Sequence, residues 1–329
     1  MTGERAGLPL ARPTLDRAAH RRTDEQWLAT AWQRARVLVV DTAGGGLALV
    51  TAAEGSPELV LFDAGAVGVR DVGDRLFLGV ASDGTPVFAI DAPLPTVPQT
   101  RAVALREVGH LLSDWDAGLF ATAVALANWH LRHTYSADTG LPTVAGEGGW
   151  SRSDDAGGQT WPRTDPAMIV LVHDGGAGPA GRCLLGNNTA WPDRDGVRRF
   201  SCLAGYVEPG ESAEAAVVRE VGEEVGLALD ESQIRYAGSQ AWPYPGSLML
   251  GFLAQADPEQ PIQPDPAEIS QARWFTRREI ATILAGEPVD AGDGRRASLP
   301  TPASIAHFLL HRWLDEAVGE RGLRSAGLR

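Results

Sequence analysis

The chain has 329 residues, enough for about two domains that each bury a core of their own. Hydrophobic residues make up 44% of it and charged residues 22%, which excludes a disordered or fibrous protein. The net charge of −13 excludes a nucleic-acid binder that relies on general basic charge, although it does not exclude a local basic groove.

The start of the chain and its two cysteines indicate a cellular compartment. The first thirty residues are polar and rich in arginine, and no apolar run approaches the roughly 18 residues that a membrane span needs. Cys183 and Cys202 each stand alone in an apolar setting, so neither a disulfide framework nor a zinc knuckle is available. We therefore expect a cytoplasmic protein with two buried free thiols and no membrane partner.

The first half of the chain predicts a small α+β domain followed by a connector. Short apolar runs alternate with Gly, Asp and Pro turns between Val37 and Ile90, a pattern typical of a small sheet. Residues 105–133 carry apolar side chains at helical spacing, which predicts helices. The stretch 135–161 is rich in Gly, Ser and Asp. We expect an N-terminal domain over residues 1–134 and a connector over 135–161.

A second domain is predicted over residues 162–329. It opens with a continuous apolar strand at 167–172, and a Gly-rich turn leads to a second strand at 182–186. The later predicted elements are a helix at 212–225, strands near Tyr236, at 249–254 and at 272–275, and helices at 277–284 and 303–318. This alternation predicts an α/β domain.

One helix of this second domain carries three glutamates on one face. Between Gly205 and Leu227 the chain reads GYVEPGESAEAAVVREVGEEVGL. Glu220, Glu223 and Glu224 stand at positions i, i+3 and i+4, so their carboxylates project close together. Crowded carboxylates repel unless a strong positive charge lies among them, and hard oxygen ligands suit Mg²⁺ or Mn²⁺. The motif predicts a divalent metal site.

The alternative is an acidic helix face in solvent, which is the usual role of a charge run. The neighbouring residues favour the metal site instead. A Glu-Pro-Gly-Glu turn leads into the helix, and Ser212 is placed to cap it. The other helix face is apolar, so we expect the carboxylates to point away from a core. Arg219 can pair with Glu211 and hold the turn against the helix.

The same stretch matches, at every defined position, the Nudix box Gly-x5-Glu-x7-Arg-Glu-U-x-Glu-Glu-x-Gly-U, where U is aliphatic. The chain thus resembles the Nudix hydrolases. The resemblance implies an α/β/α sandwich with a mixed sheet, hydrolysis at phosphorus, and metals that neutralise a diphosphate and lower the pKa of a bound water. It assigns metal binding to Glu220, Glu223 and Glu224, and support of the loop–helix–loop to Glu211 and Arg219.

A second motif narrows the substrate. Residues 239–249 read SQAWPYPGSLM, which resembles the SQPWPFPxS signature of the NADH pyrophosphatases, with mild departures at Ala241 and Tyr244. The resemblance implies hydrolysis of NAD(H) to nicotinamide mononucleotide and AMP, and it makes Gln240, Trp242 and Ser247 candidate substrate-binding residues. A proline-held aromatic ring suits stacking on a base, although Trp242 could also be a core side chain.

Three further expectations rest on the same resemblance. Tyr206, directly after the box glycine, would stack on a substrate ring. Glu268 would be a further metal ligand from a loop. Ala306, in the segment Ser304-Ile-Ala306, would line the substrate site. The resemblance also implies a homodimer whose subunits share substrate-binding aromatics.

The chain departs from the family in its connector. Many relatives place a zinc ribbon there, built from two Cys-x-x-Cys knuckles, whereas this sequence has Ser136, Thr139, Ser153 and Ala156 at the four positions. None of these side chains supplies a thiolate, and a structural zinc site needs four ligands. We therefore predict a degenerate zinc ribbon that holds no zinc and is stabilised by packing and hydrogen bonds.

Other functions remain open beside NAD(H) hydrolysis. RNA with a 5′ NAD cap is a second candidate substrate, because it contains the same diphosphate. ADP-ribose and diadenosine polyphosphates are alternatives within the enzyme class. A non-catalytic nucleotide-sensing module is disfavoured, since every box glutamate is present and no helix-turn-helix with a basic recognition helix is evident.

Overall fold

The computed structural model describes residues 8–11, 14–52, 55–68, 71–191 and 196–325. The chain divides into two compact units. The N-terminal unit comprises Met1–Asp165 together with Ala241–Ser247, and the C-terminal unit comprises Pro166–Gln240 and Leu248–Arg329. The short stretch 241–247 therefore belongs to the N-terminal unit, although its neighbours in sequence do not.

The N-terminal unit is built around one six-stranded sheet. In chain order its elements are α1 (Glu25–Trp32), β1 (Arg36–Asp41), β2 (Leu47–Thr51), β3 (Leu61–Asp63), β4 (Leu76–Val80), β5 (Pro86–Asp91), β6 (Thr100–Ala104), α2 (Leu105–Val108), α3 (Asp114–Arg132), β7 (Val144–Gly146), β8 (Ser151–Ser153) and β9 (Gln159–Thr160), with 3-10 turns at Ala19–Arg21, Ala64–Ala66, Val72–Asp74 and Glu147–Gly149.

This sheet has the order β4-β5-β1-β2-β6, and β3 also pairs with β1. The β1–β5 pair is parallel, and the other pairs are antiparallel. Alternate residues of β1 enter two different cores: Val37 and Val39 pack in one cluster with residues of α1, and Leu38 and Val40 in another with residues of α3. Both faces of the strand are covered, which explains its continuous apolar run.

The connector forms the small antiparallel sheet β7-β8-β9. Asp154, which follows β8, bonds to Thr139 and Ala156, two of the four positions that the resemblance aligns with zinc-ribbon cysteines. Thr139 Oγ1 donates to Asp154 Oδ2 at 2.6 Å, and the other carboxylate oxygen accepts from the backbone N–H groups of Ala156 and Gly158 at 2.9 and 2.8 Å. Ser136 Oγ accepts from the Thr139 N–H. The predicted hydrogen bonds are present, and the absence of zinc stays a prediction.

The C-terminal unit contains the remaining elements. They are β10 (Asp165–His173), β11 (Arg182–Asn188), β12 (Val197–Arg199), β13 (Leu203–Tyr206), α4 (Ala213–Val225), β14 (Ile234–Trp242), β15 (Ser247–Gln255), β16 (Ile269–Thr276), α5 (Arg277–Leu284), β17 (Arg296–Ser298) and α6 (Ile305–Ser325), with a 3-10 turn at Glu231–Gln233.

The main sheet of this unit has the order β14-β15-β10-β11-β16, with β13 paired to β10. Met168, Val170 and Val172 of β10 pack in one cluster with the apolar residues of α4. The intervening residues of β10 are also buried, so its opposite face is covered as well. Arg277, at the start of α5, lies over the Trp313 ring of α6 at 3.9 Å and donates to the Trp313 carbonyl. The predicted α/β class is confirmed.

Cys183 and Cys202 are buried free thiols, as the sequence predicts. Burial raises the pKa of both, that of Cys202 to about 12, so neither forms a thiolate near neutral pH. Among the described residues, no helix has the length and apolar composition that crossing a bilayer requires.

Candidate active site

Helix α4 is fixed at both ends by its own sequence. Ser212 Oγ accepts from the Ala215 N–H at 3.0 Å, and Gly226 ends the helix in the left-handed conformation, at φ 73°. The apolar side of the helix is buried at the four positions that the sequence predicts, which are Ala216, Val217, Val221 and Val225. The glutamates are therefore held on a rigid element.

Arg219 is the central cation of this helix. Its Nε and Nη2 atoms donate to the two carboxylate oxygens of Glu211 at 2.8 and 3.0 Å, the paired geometry for which a guanidinium is suited. The same guanidinium donates to Glu220 at 2.9 Å, to Glu223 at 3.0 Å and to the Tyr206 carbonyl at 2.9 Å. The pKa of Arg219 is raised, chiefly by Glu211, and that of Glu211 is lowered by Arg219. The predicted Arg219–Glu211 pair is present.

The three Nudix-box glutamates of α4 differ in how deeply they are buried. The side chain of Glu223 is 62% exposed, that of Glu220 is 12% exposed, and Glu224 as a residue is 4% exposed. The expectation that all three carboxylates point away from a core is wrong for Glu224. It stands three and seven residues after the buried Val221 and Val217, so helical periodicity places it on their side. The cluster is not an acidic face in solvent.

The neighbours of the buried Glu224 carboxylate do not fully stabilise its negative charge. Its Oε2 atom has no hydrogen-bond partner among the described residues. Burial, then the charges of Glu220 and Glu268, raise its pKa to about 8. The pKa of Glu220 is also raised, first by burial and then by Glu223 and Glu268, against the opposing effect of Arg219. The structure thus brings Glu268 within electrostatic reach of Glu220 and Glu224.

These residues fit a divalent cation. An unpartnered buried carboxylate oxygen beside two further carboxylates is stabilised by a small hard cation, which supplies the missing charge. Glu220 and Glu223 turn toward Arg219 here, and within the described part of the chain no three His, Cys, Asp or Glu side chains converge as a ready metal site. Arg219 contacts one oxygen of each of these two carboxylates, Oε1 of Glu220 and Oε2 of Glu223.

Gly205 is a site residue whose role sequence analysis leaves unassigned. It lies on β13 opposite Met168 of β10. A Cβ atom at this position would overlap the carboxylate of Glu220, so a larger residue here would displace that carboxylate. Its place in the Nudix box was the only indication of a role in the sequence. The contact between Gly205 of β13 and Glu220 of α4 joins two elements, so residue spacing does not predict it.

The other candidate residues of the C-terminal unit differ in how exposed their side chains are. The Tyr206 residue is 55% exposed at the end of β13, so its ring is accessible to a ligand. Gln240 is buried and donates from Nε2 to the Ala303 carbonyl at 2.6 Å, and its Oε1 has no partner among the described residues. Ala306 is also buried, near the start of α6. Gln240 and Ala306 are therefore neighbours of the same helix end.

The aromatic loop has its anchors in the N-terminal unit. The Tyr244 hydroxyl accepts from the Arg106 N–H at 3.0 Å, and Asn128 Nδ2 donates to the Pro243 carbonyl at 2.9 Å. The half-buried Trp242 ring packs against this unit's core and meets the Tyr244 ring edge-on at 5.2 Å. Trp242 is thus partly a core side chain of the N-terminal unit.

Ser247 is buried and also falls in the N-terminal unit. Ser247 and Trp242 therefore belong to a different unit from the glutamates of α4, whereas Tyr206 and Glu268 belong to the same unit as these glutamates. The substrate-binding roles of all these residues stay predictions.

Comparison with known proteins identifies the family. A model described as the NUDIX domain matches residues 163–293, and one described as an NADH pyrophosphatase-like rudimentary NUDIX domain matches residues 27–129. A Mycobacterium tuberculosis protein named NAD-capped RNA hydrolase NudC is 39% identical over 310 residues, which are 92% of this chain and 94% of that protein. The chain belongs to the NADH pyrophosphatase branch of the Nudix hydrolases.

A human Nudix relative is more distant. It is named NAD-capped RNA hydrolase NUDT12 and is 35% identical over 213 residues, which are 62% of this chain and 43% of that protein. Among solved structures, a Caenorhabditis elegans Ap4A hydrolase matches 46% of this chain and 98% of its own, with 18% identity and a TM-score of 0.31. The second family match thus describes residues 27–129 as a rudimentary NUDIX domain.

Proposed function

We propose that this Nudix hydrolase cleaves the diphosphate of NAD(H) to nicotinamide mononucleotide and AMP with Mg²⁺ or Mn²⁺, and that it also removes 5′ NAD caps from RNA. The observation that carries the proposal is Glu224, a buried carboxylate with an unpartnered oxygen inside a complete Nudix box. The names of the M. tuberculosis and human relatives support the capped substrate.

Glu220, Glu223, Glu224 and Glu268 would hold the cation. A divalent metal there supplies positive charge to the diphosphate and lowers the pKa of a bound water. Water adds to one phosphorus, the P–O–P bond breaks, and each product keeps one phosphate. Arg219 and Glu211 keep the loop before α4 in place, and Gly205 lets β13 lie against Glu220.

Substrate recognition is assigned to side chains around this helix and on the aromatic loop. The exposed ring of Tyr206 suits stacking on the adenine or the nicotinamide. Gln240 and Ala306 support the site from the start of α6, through the Gln240 bond to Ala303. From the signature loop, residues 239–249, we assign Trp242 and Ser247 to substrate binding.

We also propose a cytoplasmic homodimer without structural zinc. The two buried free thiols fit a reducing compartment. The Asp154 hydrogen bonds occupy the connector where relatives place metal. An aromatic on a proline-held loop is a common interface anchor, so Trp242→Ala should raise KM for NADH and weaken dimerisation together. A fully active monomer at micromolar concentration by sedimentation would overturn the dimer while leaving the hydrolase intact.

Steady-state kinetics test the substrate. We would measure kcat/KM for NADH, NAD⁺, ADP-ribose, diadenosine tetraphosphate and an NAD-capped RNA, each with Mg²⁺ and with Mn²⁺. NADH and the capped RNA should be the best substrates. A kcat/KM about tenfold higher for ADP-ribose or for the diadenosine compound would reassign the substrate, and no turnover of any of them would favour a nucleotide-sensing module.

A further inference from the structure

Two histidines of α6 converge in the C-terminal unit, and neither has a role in the proposed hydrolysis. His307 and His311 stand at positions i and i+4, so they lie on one face of the helix. No other two of the seven histidines have this spacing. His307 is half-buried and His311 is exposed. Their Nε2 atoms lie 3.0 Å apart, so two imidazole nitrogens meet at the surface of the helix.

A hydrogen bond to the backbone fixes which nitrogen of His307 carries a proton. Its Nδ1 lies 3.2 Å from the Pro300 carbonyl, and a carbonyl can only accept, so Nδ1 donates. In the neutral ring Nε2 then carries the lone pair, and it accepts from His311 Nε2. Metal-binding histidines commonly donate from one ring nitrogen to a backbone carbonyl and bind the metal with the other. His307 is therefore held in the tautomer and the orientation of a metal ligand.

The distance between the two nitrogens indicates the kind of ion. If each nitrogen lay about 2.0–2.1 Å from one ion, two nitrogens 3.0 Å apart would subtend an angle of about 90° at that ion. Neighbouring ligands at about 90° are typical of the tetragonal geometry of Cu²⁺ and Ni²⁺, whereas tetrahedral Zn²⁺ requires about 109°. Mg²⁺ prefers oxygen ligands, so the cation proposed for catalysis would not compete for this pair.

We propose that His307 and His311 form a binding site for a tetragonal divalent transition metal, Cu²⁺ or Ni²⁺, with water in the other coordination positions. Binding moves the proton of His311 from Nε2 to Nδ1, so no proton is lost. Within the described residues no third His, Cys, Asp or Glu side chain joins the pair. Two protein ligands are fewer than the four of a structural site, so the ion binds reversibly and a chelator removes it. The bound ion joins consecutive turns of α6 and stabilises the folded state by mass action.

The test titrates the full-length protein, first stripped of metal, with CuCl₂ in the presence of excess Mg²⁺. Calorimetry should show one tightly bound Cu²⁺ per chain, and EPR spectra should show superhyperfine coupling to two imidazole nitrogens. His311→Asn should raise Kd for Cu²⁺ at least about tenfold and abolish the two-nitrogen coupling. His20→Asn removes an exposed histidine with no other histidine four residues away, so it is the matched control and should change neither result.

Two further measurements sharpen the test. NiCl₂ should raise the thermal unfolding midpoint of the wild type and of His20→Asn but not that of His311→Asn, and Zn²⁺ should bind the wild type at least about tenfold more weakly than Cu²⁺. The inference is overturned if His311→Asn binds Cu²⁺ as the control does, or if the EPR spectrum of the wild type lacks the two-nitrogen coupling, a readout that needs no variant. Displacement of the Cu²⁺ by excess Mg²⁺ would assign it to carboxylates and would also refute the inference. None of these results depends on NADH turnover, so the proposed function is tested separately.

Discussion

Helices α3 and α4 each pack on a six-stranded sheet, and each buries one carboxylate, yet the two carboxylates differ in their surroundings. Asp116 lies in the first turn of α3, where it accepts from Ser113 Oγ at 3.1 Å and where the helix dipole favours negative charge. Glu224 lies in the last turn of α4, where the dipole disfavours it, and one of its oxygens has no partner among the described residues. The pKa of both is raised by burial, that of Glu224 to about 8.

The two helices of this chain thus differ in how they treat a buried carboxylate. The N-terminal unit satisfies its buried carboxylate locally and keeps α3 as a packing element. The C-terminal unit leaves the charge of Glu224 uncompensated, at a cost in stability, and under the proposed function a bound cation would offset that cost. Four predictions test this contrast, and they follow in order of expected effect.

The largest effect is expected from Glu224→Gln. The variant should lower kcat for NADH by about two or more orders of magnitude, because it removes a metal-ligating charge while keeping the shape of the side chain. Asp116→Asn is the matched control at the other buried carboxylate, and it should keep kcat. Near wild-type turnover by Glu224→Gln, or an equal loss in both variants, would refute the assignment.

The second effect concerns Arg219. Arg219→Lys keeps the charge but cannot make the paired bonds to Glu211 while also contacting Glu220, so kcat/KM for NADH should fall about tenfold. Arg235→Lys serves as the control, since Arg235 pairs with Glu316 at a single, more exposed contact. Equal kinetics of the two variants would show that the paired geometry is dispensable.

The third prediction is that Glu224 and His130 contribute pH dependences of opposite sign to stability in the presence of EDTA. The pKa of Glu224 is raised to about 8, so the folded state binds its proton more tightly and stability is lost as pH rises from about 4.5 through 8. The pKa of His130 is lowered, mainly by burial. Its Nε2 donates to Gly149 and its Nδ1 accepts from Arg152, so stability is lost as pH falls below about 6.5.

Thermal unfolding midpoints between pH 5 and 8.5 measure both slopes. Glu224→Gln should flatten the alkaline side and His130→Gln the acidic side, each leaving the other slope intact. An unchanged alkaline slope in Glu224→Gln would show that the charge of Glu224 is stabilised in solution. The contrast between Glu224 of α4 and Asp116 of α3 would then be wrong.

The fourth prediction is that zinc makes no contribution to the stability of the protein. Purified protein should contain no stoichiometric zinc, and a zinc chelator should not change the unfolding midpoint, because Ser136, Thr139, Ser153 and Ala156 supply no thiolate and Asp154 hydrogen-bonds to two of them. One tightly held zinc per chain in elemental analysis, whether in the connector or through His130 or His133, would contradict this.

The sequence by itself determined whatever depends on residues close together in the chain. The Ser212 cap, the Gly226 end, the buried apolar face of α4 and the Arg219–Glu211 pair all follow from helical spacing and the turn before the helix. The longer strands and helices follow from apolar periodicity for the same reason, whereas α1, β12, β13 and β17 were not predicted. The resemblance to the Nudix box then supplied the chemistry.

Only the tertiary structure decided which distant residues meet. Residue spacing does not show that the glycine at 205 makes room for Glu220, that Gln240 is bound to the backbone before α6, or that the aromatic loop is anchored by Asn128. The burial of Glu224 follows from the sheet that α4 covers as much as from the helix itself. Desolvation, and with it the raised pKa, depends on what surrounds a side chain in space, and that is set by packing between elements far apart in sequence.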